Sequence, residues 1–126
     1  MDDNELNKIV DAWIAAHEVA NDSPEREECR WAIERVMDWK FESQSELLWR
    51  FVLSSYERKL TDKVVAVLAA GPLEDLISEF GADYIERIET LARCDPKFNF
   101  LLGGIWRSDT RDDVWKRIEA VRLKVW

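Results

Sequence analysis

His17 is the only histidine of the chain, and Cys29 and Cys94 are its only cysteines. One imidazole excludes an H-E-x-x-H pair or any multi-histidine site, and the two thiols show no metal-ligand spacing. Both cysteines sit among apolar residues at helical spacing, where a thiol is buried, reduced and inert. His17 follows Trp13 by four residues, which places it at the edge of a buried helix face. The adjacent acids Glu27-Glu28, Glu74-Asp75 and Asp112-Asp113 point to different sides of a helix, and no EF-hand loop is present. Gly103-Gly104 lacks the rest of a phosphate-binding loop and reads as a tight turn. Glu34-Arg35 reads as a structural ion pair, and Glu74-Asp75 as first-turn acids that the helix dipole stabilises by about 0.3–1 kcal/mol each. No catalytic set, metal or cofactor is expected.

Charge is the remaining chemistry. The net charge is −8, and it is unevenly spread. Met1 to Glu28 holds nine acids against Lys8 and Arg26, for −7, while Arg107 to Trp126 holds four acids against six bases, for +2. An acidic end of this kind steers a basic partner, and Asp11, Glu18, Asp22, Glu25 and Glu28 are the candidate partner-binding residues. Direct binding to nucleic acid is disfavoured because no basic stripe exists. No apolar run reaches the roughly 20 residues of a membrane span, and the acidic start is unlike a secretory signal, so the expected location is the cytoplasm. Oligomeric state is left open.

The elements that must carry these residues are all helical. Leu6, Ile9, Val10, Trp13, Ile14 and Ala20 recur at helical spacing, with Asp11 and Glu18 on the outer face. Ser23-Pro24 and Asp95-Pro96 each read as an N-cap followed by a first helical residue. The helix after Ser23 turns Cys29, Ala32, Ile33, Val36 and Met37 inward, with Trp31 and Trp39 widening the apolar arc. Ser43 and Glu46 match a capping box, and Thr110-Arg111-Asp112-Asp113 resembles one. Thr61 to Ala70 is apolar almost all round, as a helix in the middle of a fold would be. Gly71 would close it in the left-handed conformation and Pro72 would open the next, which Gly81 would end. The last helix would point Val114, Trp115, Ile118, Val121 and Val125 inward. Strict alternation never lasts long enough for a strand. Residues 1–126 therefore predict one compact all-α domain of about seven to eight short helices. Most of the seven Trp are expected in its core. A faint echo between Trp31–Val36 and Tyr84–Glu89 permits HEAT-like stacking of helical hairpins, with an irregular bundle as the simpler arrangement.

DAWIAAH (Asp11 to His17), WAIERV, AVLAAGPLEDLI (Ala66 to Ile77) and FLLGGIW (Phe100 to Trp106), in this order, resemble an uncharacterised bacterial family of small acidic helical proteins. That family is catalogued only as a domain of unknown function. The resemblance spans about Leu6 to Val121 and implies bacterial origin and a single helical domain. Its shared positions Gly71, Pro72, Gly103, Gly104 and Trp106 carry no implied chemistry. Size, acidity at one end and the lack of a catalytic set lead to a non-enzymatic protein-binding module. The concrete form is an immunity-type protein neutralising a basic bacterial toxin, such as a nuclease. The alternatives are a helical adaptor or regulatory subunit, and a small-molecule-binding or enzymatic domain with a pocket near Gly103 to Trp106.

Overall fold

Ser23 and Asp95 do what their types and following prolines dictate. Ser23 Oγ accepts the Arg26 amide at the start of α2 (Pro24–Phe41), and Asp95 Oδ1 accepts the Lys97 and Phe98 amides at the start of α6 (Pro96–Leu102). Thr61 likewise caps α4 (Asp62–Leu68) through the Val64 amide. In the computed structural model, which describes all 126 residues, the other helices are α1 (Asp3–Glu18), α3 (Ser45–Tyr56), α5 (Glu74–Cys94) and α7 (Asp112–Val121). The chain is all-α, and no helix is long and apolar enough to cross a membrane.

α3 is the central element. Phe51 meets Trp13 of α1 and Trp39 of α2 edge-on, with ring centroids 5.3 and 6.0 Å apart. On its other side Trp49 and Tyr56 meet Phe98 of α6 at 6.1 and 5.5 Å. α1 and α2 form an antiparallel hairpin against this core, and α5 packs on α6 and α7. Each edge-on aromatic pair contributes about 0.5–1.5 kcal/mol beyond its buried area.

Four expectations are corrected. First, Gly71-Pro72 is not a junction between helices. The backbone runs helically from Asp62 to Cys94, with a π turn at Ala69–Leu73 joining α4 to α5, and no glycine has a positive φ. A proline inside an α-helix lacks a donor and collides with the carbonyl four residues back. The wider π turn accommodates the Pro72 ring without ending the helix. Gly81 also lies inside α5, where a Cβ would come within 2.9 Å of Val114 Cγ1 in α7, so its role is close helix packing. The result is six continuous helical runs instead of seven to eight.

Second, Ser43 does not open α3. It takes φ 56° at the end of α2, and the Gln44 amide donates back to the Trp39 carbonyl, which closes the helix. Gln44 occupies the N-cap of α3 without a side-chain bond, and Glu46 pairs with Arg87 instead. Third, Thr110 does not cap α7. It is buried, its Oγ1 has no hydrogen-bond partner, and Arg111 is the N-cap. Fourth, α7 stops at Val121. Arg122 to Trp126 forms an extended strap, so Val125 points to solvent.

The strap is held by Asn99. Its Nδ2 donates to the Ala92 and Val121 carbonyls, and its Oδ1 accepts the Leu123 amide. Beyond it, Trp126 lies over the Gly103-Gly104 turn, stacked on Phe100 at 5.3 Å with its indole N–H bonded to the Phe100 carbonyl.

Candidate functional site

The five acidic residues singled out by charge all lie on the α1–α2 hairpin and all are exposed. They do not act alike. Asp11 is tied to Arg58 in an ion pair that bridges α1 to the end of α3. Lys59 and Arg58 also border the shallow depression that holds Asp11 and Glu18, so positive charge offsets this flank. Glu18, Asp22, Glu25 and Glu28 form no ion pair and gather around the α1–α2 turn.

The outer face of α2 extends that cluster. Trp31 is 47 % exposed, contrary to the expectation that it widens the buried arc; Trp39 is buried. Glu27, Glu28, Glu34 and Asp38 lie within about 60° of Trp31 around the helix axis, as does Arg35. Arg30 bridges Glu27 and Glu34, whereas Glu28 and Asp38 stay unpaired. Glu34 therefore pairs with Arg30 rather than with its neighbour Arg35. Met37, expected to point inward, is exposed, and Phe41 at the helix end is 76 % exposed. A wheel drawn through α2 carries the signal for Trp31, because it falls among the carboxylates; hydrophobicity alone hides it. Of the other tryptophans only Trp13 and Trp49 join Trp39 in the core, so the expected core majority does not hold.

The remaining chemical residues have structural surroundings. His17 touches Trp13 edge-on at 4.4 Å, as its spacing implies. Its pKa is lowered to about 4 by burial first, then by Arg26 and Lys63, whose side chains bind the Ala16 and Val19 carbonyls at the end of α1. Cys29 is half-buried, while Cys94 is exposed, against the expectation of a buried thiol; both are free. Burial raises the Asp75 carboxyl, an effect opposed by Lys40, whose Nζ lies 3.4 Å away. The Tyr56 hydroxyl donates to Asp95 at 2.6 Å, and this bond lowers the Asp95 carboxyl.

Glu74 is not at a helix start but inside the long run. Its carboxylate accepts the Trp106 amide at 2.6 Å and the Ser108 hydroxyl at 2.8 Å, pinning the loop that exposes Trp106. No local pattern announces a bond across 32 residues. Over Gly103 and Gly104 there is no open pocket, because Trp126 occupies that space. A groove of about 620 Å³ lies between α3 and α5, lined by Trp49, Leu53, Tyr56 and Leu91 together with Glu57 and Glu86.

A family model described as a family of unknown function matches residues 19–125. WAIERV, AVLAAGPLEDLI and FLLGGIW fall within that match, whereas DAWIAAH on α1 precedes it. Neither the curated proteins nor the solved structures contain a match to the chain.

Proposed function

The chain belongs to that family, DUF6869, and because its function is unknown we propose a role from the protein's own surface: a protein-binding module that captures a basic partner. The observation that carries this reading is the exposed Trp31 on α2 set among Glu27, Glu28, Glu34 and Asp38, next to the unpaired acids of the α1–α2 turn. An aromatic anchor ringed by charge is the arrangement in which one side chain holds a partner and the carboxylates select and steer it. Phe41 would extend the apolar contact. In its concrete form the protein is an immunity-type protein of a bacterial cytoplasm that neutralises a basic toxin such as a nuclease. It would act by occlusion and without catalysis.

The test pairs this protein with the product of the neighbouring open reading frame, or with a basic protein retained by it from its native host. Stopped-flow association should slow steeply as the Debye length shortens from about 30 Å at 0.01 M salt to about 8 Å at 0.15 M. Glu25→Lys with Glu28→Lys should lower the association rate. Trp31→Ala should raise the dissociation rate about 30-fold, equivalent to about 2 kcal/mol. Association indifferent to salt, or indifference to both sets of variants, rejects this surface. The groove between α3 and α5 supports a second reading, an adaptor that holds a partner helix. Binding lost on Leu53→Arg and kept on Trp31→Ala would favour it.

A further inference from the structure

The helical run from Asp62 to Cys94 is interrupted once, and the interruption borders a cavity. Beside the π turn lies a crevice of about 160 Å³, walled by Trp13, Ile33, Val36, Met37 and Val67 and closed by Gly71 and Pro72. Gly71 has no positive φ, and a Cβ placed on it would meet nothing within 4 Å beyond its chain neighbours. Neither a left-handed backbone nor a packed neighbouring element requires glycine here. Its bareness relieves crowding against the Pro72 ring, a strain that alanine and every larger residue would share. A larger side chain would in addition reach into the crevice.

Two polar groups face these apolar walls. His17 makes no side-chain hydrogen bond, and as a neutral imidazole it keeps one ring nitrogen free to accept. Asp75 lies at the rim with Lys40 on its Oδ1, and its Oδ2 has no partner. A cavity of about 150 Å³ admits a benzene-sized ring. Charge narrows the ligand further: Arg26 and Lys63 beside His17 oppose a cation, and Asp75 is already paired with Lys40, so the lining offers no free charge for an ion to meet. We propose that this crevice binds a small neutral aromatic molecule with one hydroxyl or N–H donor. The ring rests against Trp13, Ile33 and Val36, and the donor bonds to His17 or Asp75. This site is separate from the outer face of α2 and stands whether or not that face binds a protein.

Phenol is the probe and toluene the nearly isosteric control that lacks a donor. NMR titration of the wild-type protein at millimolar phenol should give saturable shifts centred on the Gly71 amide and the His17 ring. Toluene should bind at least about tenfold more weakly, the loss expected for one hydrogen bond. Gly71→Ala should retain phenol binding, while Gly71→Leu, which bears the same strain beside Pro72, should lose it by tenfold or more. Met37→Trp at the exposed rim provides a second blocking variant should Gly71→Leu fail to fold. Shifts that do not saturate or centre elsewhere, equal affinity for toluene, or phenol binding that survives a folded blocking variant overturns the proposal.

Discussion

Adding one methyl group at Gly104 should dislodge the end of the chain. A Cβ there would stand 2.5 Å from Trp126 Cζ2 and 3.0 Å from the Ala69 Cβ, closer than packed carbons come. Ala69 sits in the buried π turn, so the indole has to yield. Its displacement forfeits the Phe100 stack, worth about 0.5–1.5 kcal/mol, and the indole N–H bond to the Phe100 carbonyl, worth about 1 kcal/mol. Gly104→Ala should therefore cost about 1.5–2.5 kcal/mol, a fall in Tm of roughly 5–15 °C for a domain of this size. Urea and thermal denaturation followed by circular dichroism measure it. The decisive comparison is the same substitution in a Trp126→Ala background, where only the Ala69 contact remains and the cost should drop below about 1 kcal/mol. Equal costs in both backgrounds would refute the argument, since Gly104 would then be required for its own backbone and not for the ring above it.

Protonation of His17 should weaken the fold. Its folded pKa of about 4 lies below the unfolded 6.5, so its contribution is complete above pH 6.5 and is lost as pH falls towards 4. The full gap corresponds to about 3 kcal/mol, which solvent around the half-exposed ring cuts to about 1–2 kcal/mol; urea titrations at pH 7 and 4 should show this loss in the wild type and not in His17→Gln. Asp95 serves two partners, the first amides of α6 and the Tyr56 hydroxyl. Asp95→Ala should thus cost about 1.5–3 kcal/mol in chemical denaturation, against about 1 kcal/mol for Tyr56→Phe, and additive costs in the double variant would show that the two groups do not cooperate.

Local chemistry is what the sequence by itself determined. Helical periodicity placed Leu6, Ile9, Val10 and Trp13 on a buried face, and Ser23, Thr61 and Asp95 start helices because a short side-chain oxygen finds its own chain's amides whatever surrounds it. The acids of the α1–α2 turn are exposed for a similar reason, since an ionised carboxylate without a partner stays in water. Tertiary structure decided the rest. Gly71-Pro72 carries the signature of a break, yet packing keeps the run helical and shifts the misfit into a π turn. Gly103 and Gly104 look like a tight turn, but they are bare because Trp126 returns over them from 22 residues beyond Gly104. Glu74 looks like a dipole-stabilised first-turn acid and instead holds the Trp106 loop. For Gly103, Gly104 and Glu74 the deciding partner is distant along the chain, and burial and close approach are properties of pairs that no single stretch contains.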